Sequence, residues 1–116
     1  MKILFILNDP PYGSERSYNG LRLAGSTSKT EGTEVIVFMM GDAVSCAKSG
    51  QKVPQGYYNI EIMIKNVLGN KGKVGVCGTC IDARGITERE LMEGVERSTL
   101  SYLTDWTMEA DKILVF

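Results

Sequence analysis

Histidine is absent from all 116 residues. That absence excludes Ser-His and Cys-His dyads, imidazole metal ligands and an imidazole proton shuttle from this chain. Acid–base work falls instead to carboxylates, Lys, Tyr or Cys. An excess of charge is missing too: Lys plus Arg is 13, Asp plus Glu is 14, and the net charge is -1. This argues against a nucleic-acid footprint and against a polybasic membrane patch. Long hydrophobic runs are also lacking. The run after Lys2, Ile3 to Leu7, stops at Asn8-Asp9-Pro10-Pro11. It falls short of the roughly 7–15 residues of a secretory core and of the ~20 needed to span a bilayer. Neither a Walker A pattern nor a G-x-G-x-x-G occurs. The first loop, Asp9 to Glu15, is poor in glycine, and its two acids oppose a phosphate. No motif calls for a cofactor.

What is present suits an ordinary globular domain: 43% hydrophobic and 23% charged residues, read as one domain over 1–116. The three Cys are an odd number in a chain large enough to own a core. That points to free thiols in a reducing cytoplasm rather than a disulfide scaffold.

Four short apolar runs, 3–7, 35–40, 74–77 and 113–116, are continuous rather than alternating, as in strands covered on both faces. Ser14 is placed to cap a helix over 15–31, with Tyr18, Leu21, Ala24, Gly25 and Ser28 inward. Ile60, Ile64, Val67 and Leu68 form a stripe over 60–68, with Glu61 and Lys65 paired outside. Thr87 and Glu90 spell a capping box, stapled by Ile86 and Leu91, that starts a short helix at 88. A last helix over 99–110 turns Leu100, Leu103, Thr107 and Ala110 inward. Residues 95–97 are an edge strand. This alternation predicts a three-layer α/β/α sandwich on a mainly parallel sheet of about five strands, with right-handed crossovers. Residues 50–58 read as a mobile loop and a candidate lid.

In such sheets ligands bind beyond the carboxyl ends of the strands, where the loops 8–13, 41–46 and 77–84 converge. All three Cys lie in or beside the last two. Cys77-Gly78-Thr79-Cys80 is a C-x-x-C at a strand end, where backbone N–H groups and Arg84 would stabilise a thiolate, the reactive form. Zinc needs four ligands, and three Cys without His leave that set short unless Asp42, Asp82 or a neighbouring subunit completes it. A thioredoxin-type site needs a substantial helix after the C-x-x-C, and Gly85 and Thr87 break the chain soon after.

Several segments resemble the DsrE/DsrF-like family, which includes sulfur-relay subunits, and the likeness runs through the whole chain. They are Pro11-Tyr12-Gly13, Leu21-Arg22-Leu23-Ala24, Met40-Gly41-Asp42-Ala43-Val44, the stretch from Cys77 to Ile86, and Ala110 to Phe116. In relay members a reactive Cys after the third main strand precedes a Gly by eight positions, as Cys77 precedes Gly85. The resemblance implies that Cys77 carries sulfane sulfur as a persulfide, exchanged with donor and acceptor proteins or small persulfides. Cys80, absent from the usual single-Cys loop, would resolve it. Arg84 would stabilise the anionic sulfur, Asp9 and Tyr12 would shape the pocket, and Cys46 would stand at its rim. A closed homotrimer or homohexamer is also implied, and Tyr57, Tyr58, Tyr102 and Trp106 are the aromatic residues left over for its interface, with Trp106 alternatively capping the chain's own core. Two other readings stand beside this one: a non-catalytic thiol redox sensor, and a small-ligand binding module at the same strand ends.

Overall fold

A computed structural model describes residues 1–116. Five parallel strands form one sheet: β1 (Lys2–Leu7), β2 (Glu34–Met39), β3 (Lys73–Cys77), β4 (Val95–Ser98) and β5 (Lys112–Val115), in the order β4-β3-β2-β1-β5. The continuous apolar runs are explained by burial on both faces. In β1, Ile3, Phe5 and Leu7 enter one core, while Leu4 enters the other.

The larger core lies under α1 (Arg16–Thr27), α2 (Ile60–Gly69) and α3 (Gly78–Ala83). Helix α1 is shorter than its sequence pattern predicts. Thr27 Oγ1 donates back to the Leu23 carbonyl and Ser28 Oγ to that of Gly25, and such local bonds compete with continued helix. Its N-cap is Glu15, not Ser14, and its buried stripe is Ser17, Gly20, Leu21 and Ala24. Helix α2 follows the predicted pattern: Ile60, Ile64 and Val67 are buried, Asn59 accepts the Ile62 N–H, and Lys65 pairs with Glu61 at 3.5 Å. The capping box at Thr87 and Glu90 forms, but it starts a single 3-10 turn, Glu88–Glu90, rather than an α-helix. Cys46 lies in a longer 3-10 helix, Gly41–Ala47.

Only α4 (Leu100–Glu109) covers the second face. Here the predicted inward stripe is corrected. Leu100 is 70% exposed, whereas Trp106 is half-buried and meets Phe38 edge-on at 6.1 Å. The reason is Gly75: its missing side chain leaves the space that the indole ring fills, since a Cβ there would come within 3.2 Å of Trp106. Trp106 therefore belongs to this chain's own core, and Tyr102 beside it stays exposed.

This topology fixes where a site can form. The connections from β1, β2 and β3 all run over the α1–α3 face, and the one from β4 runs over the α4 face. At the carboxyl ends of the neighbouring strands β3 and β4 the chain therefore departs in opposite directions. Such a divergence opens a crevice in the sheet's top edge.

Candidate functional site

Cys77 is the last residue of β3, and Ser98, its partner in register, is the last of β4. The crevice between the diverging chains holds a cavity of about 180 Å³ lined by Cys77, Gly78, Thr79, Arg97, Ser98 and Thr99, with Phe38, Met40, Leu100 and Leu103 as its apolar side. A larger depression of about 630 Å³ lies among Met1, Lys2, Glu34, Glu109 and Asp111, at the other end of the sheet and away from every thiol.

Cys77 is half-exposed and is the N-cap residue of α3. Partial burial pushes its thiol up, and this is outweighed by groups that favour the thiolate. The Cys80 thiol and the Thr79 hydroxyl, whose oxygen lies 3.2 Å from Cys77 Sγ, come first; the backbone of Cys80 and Thr79 adds to them. The balance leaves Cys77 below the ordinary thiol value. Cys80 moves the other way, raised first by burial and then by facing Cys77, although the Gly41 N–H donates to its sulfur at 3.3 Å. The C-x-x-C is thus split into a thiolate-prone sulfur on Cys77 and a proton-holding one on Cys80. That is the division of labour of an attacking and a resolving thiol. The helix carrying the pair stops at Ala83, in keeping with the break expected at Gly85.

Arg84 is near Cys80 rather than Cys77. Its Nη1 donates to the Cys80 carbonyl at 3.1 Å, and its Nε and Nη2 reach Asp42 Oδ1 at 3.2 and 2.9 Å. The guanidinium whose charge couples to Cys77 belongs to Arg97, in the edge strand. Asp82 holds it by two bonds of 3.0 and 2.8 Å, and Glu88 stands 3.9 Å away. Gly78 makes room for it, because a Cβ at that position would lie 2.8 Å from Arg97 Nε. Sequence reasoning passed over Arg97. The signal that finds it is the parallel register, which sets Arg97 one residue before the partner of Cys77.

Asp9, Tyr12 and Cys46 do not line this cavity. They gather on the α1–α2 side, where Cys46 is fully buried with its sulfur 3.8 Å from the Asp9 carbonyl. Burial, against a bond from Ser17, pushes the Cys46 thiol up to about 12. The Tyr12 hydroxyl donates to Gln51 Oε1 at 2.6 Å and accepts the Ile60 N–H at 3.2 Å. Gln51 in turn donates to the carbonyls of Cys46 and Lys48, both at 2.9 Å. The 50–58 segment is therefore pinned from Gln51 and contributes nothing to the cavity at Cys77, so it is no lid for it. No three Cys, Asp or Glu side chains converge as metal ligands.

Comparison with known proteins settles the family and the fold. The family model of the DsrE/DsrF-like family matches residues 1–116. The chain belongs to the DsrE/DsrF-like family. It is 42% identical to the protein YchN of Escherichia coli over 116 residues, covering 99% of this chain and 98% of the relative. An uncharacterized protein of Methanopyrus kandleri is 36% identical over 114 residues, covering 98% and 93%. The crystal structure of the Escherichia coli protein superposes with a TM-score of 0.93 over 99% of this chain and 98% of that one. A protein of unknown function from Methanobacterium thermoautotrophicum shares the fold alone, at 13% identity and a TM-score of 0.77 over 99% and 98%. The DsrE/DsrF-like family is associated with sulfur relay in general. No helix of this member is long and apolar enough to cross a membrane.

Proposed function

We propose that this chain is a persulfide carrier, or sulfurtransferase, that holds sulfane sulfur on Cys77. The observation that carries the reading is the thiolate-prone Cys77 at the divergence of β3 and β4, opening into a cavity. The Cys77 thiolate attacks the outer sulfur of a donor persulfide, the donor's own thiolate leaves, and Cys77–S–SH remains. An acceptor thiolate then attacks that outer sulfur and Cys77 returns as thiolate, so neither step has a net oxidant.

Cys80 offers a second exit. Its thiolate attacks the inner sulfur of Cys77–S–SH, expels hydrosulfide and leaves a Cys77–Cys80 disulfide, which an external dithiol reductant must reopen. Its place facing Cys77 supports this step, and its raised proton affinity makes it slower than transfer to a ready acceptor thiolate. Arg97, ahead of Arg84, is the guanidinium assigned to steady the anionic sulfur. The chain works as a closed homo-oligomer in this reading.

Intact mass after incubation with inorganic polysulfide tests the carrier. One added sulfur, lost on treatment with dithiothreitol and missing in Cys77→Ser, supports it. Undiminished uptake by Cys77→Ser removes it.

A further inference from the structure

The cavity beside Cys77 is far less polar than sulfur transfer alone requires. Inorganic polysulfide and thiosulfate are small, hydrated anions, and a protein donor's cysteine arrives on an exposed loop. Neither calls for an apolar chamber next to the sulfur. Yet Phe38, Met40, Leu100 and Leu103 wall one side of the space, with Cys77 on its border and Arg97 at the polar rim. Phe38 and Leu103 are nearly fully buried, so the wall is fixed by the core behind it. The volume, about 180 Å³, is close to that of an engineered apolar cavity of roughly 150 Å³ that stays dry and takes up benzene. A body of one ring or a short branched chain fits such a space.

We infer that this cavity seats the apolar body of a small organic persulfide or thiol, of single-ring size, which gives sulfur to Cys77 or takes it away. The inference rests on the carrier reading for its sulfur step and adds to it the class of substrate. With the body R held against Phe38 and Leu103, R–S–SH presents its outer sulfur to the Cys77 thiolate. The bond inside R–S–SH breaks as Cys77–S–SH forms, and R–S⁻ leaves with the electron pair beside the Arg97 guanidinium. Run backwards, the same steps discharge Cys77–S–SH onto a bound R–S⁻. Atoms and charge balance in either direction and no outside reductant is consumed. Burying an apolar body increases the bound fraction, and orientation at the sulfur adds to the rate.

The test uses methyl, benzyl and naphthylmethyl methanethiosulfonate, which convert a cysteine thiolate to a mixed disulfide and release sulfinate. Rates at Cys77 are read by peptide mapping in Cys80→Ser and divided by the rates with glutathione. The inference expects the benzyl reagent to exceed the methyl reagent by about tenfold or more, the range a hydrophobic pocket gives for small apolar groups. The naphthylmethyl reagent falls back, and Leu100→Asp, at an exposed wall position, abolishes the benzyl preference. Equal normalised rates for all three reagents, or a steady rise through naphthylmethyl, overturn the seat. Uptake of sulfur from inorganic polysulfide is followed separately. If Cys77 fails to hold that sulfur, the carrier reading falls whatever the thiosulfonate rates. If it holds the sulfur while the rates are flat, the seat alone falls.

Discussion

Cys77, Cys80 and Cys46 are the same side chain in three electrostatic settings, and their chemistry should separate accordingly. Cys77 is held below the ordinary thiol value by its neighbours against partial burial, Cys80 is raised by burial and by Cys77, and Cys46 is pushed up to about 12 by burial. A lowered value means that the thiolate persists to lower pH, and thiolate is the form that reacts. Alkylation by iodoacetamide between pH 6 and 10, followed by peptide mapping, should therefore show Cys77 rising first as pH increases and Cys80 later. Cys46 stays unlabelled until the protein unfolds. Coincident profiles for Cys77 and Cys80 would contradict the split. The two arginines give a sharper check. Arg97→Gln should shift the Cys77 profile modestly to higher pH, because a coupled positive charge is gone while the larger effects of Cys80 and Thr79 remain. Arg84→Gln should act on Cys80 instead, whose proton affinity Arg84 lowers. The C-x-x-C at a strand end was readable from sequence because it is local information. Its guanidinium was not, since Arg97 comes 20 positions later and meets Cys77 only through the pairing of β3 with β4.

At the scale of elements, hydrophobic periodicity located strands and helices well, and close approach of backbone decided what it missed. The stripe of α2 and the Glu61–Lys65 pair are sequence-local and appear as expected. The sequence left Trp106 open between an interface and the chain's own core, because what decides it is a glycine, Gly75, in a different element. The same kind of control operates where α2 hands over to β3. The Gly72 N–H donates to the Val67 carbonyl at 2.9 Å, and a Cβ on Gly72 would come within 2.5 Å of Val67 Cγ1 and 2.8 Å of the Val67 oxygen. Val67 is fully buried and has no room to yield. Gly72→Ala should therefore destabilise the protein by about 1–3 kcal/mol in urea unfolding, the usual cost of overpacking. Gly69→Ala makes the control. Nothing lies within 4 Å of a Cβ there, and the residue is helical. That substitution should be neutral or stabilise by up to about 1 kcal/mol. Equal losses at the two glycines would show that chain entropy, and not the contact with Val67, governs this turn.

The whole molecule leaves one face unfinished, and that face is where assembly is expected. Five strands spaced by about 4.8 Å make a sheet roughly twice the width of one helix, yet α4 is the sole helix on the second face. The register of β5 on β1 pairs Ile113 with Leu4 and Val115 with Ile6, so both β5 residues point to the α4 side. They remain 41% and 64% exposed there, while Tyr102 and Met108 are exposed on α4 itself. Part of this was legible beforehand: Tyr102 read as an outward aromatic residue. Ile113 and Val115 read as buried strand residues, because the expected cover on both faces is missing over β5. The edge is also unpaired, and natural sheets seldom leave an apolar edge strand bare. Closed cyclic assembly is the common solution for a soluble homo-oligomer, and burial of these side chains between copies supplies its driving force. Light scattering coupled to size exclusion should give a trimer or hexamer at micromolar concentration. Replacing Ile113 by Glu and Val115 by Lys should yield a monomer with unchanged far-ultraviolet circular dichroism, since neither side chain is buried in the single chain. A monomeric mass for the unaltered protein would remove the assembly. Assembly that survives both substitutions would move the interface away from β5, to the Tyr57 side of the molecule.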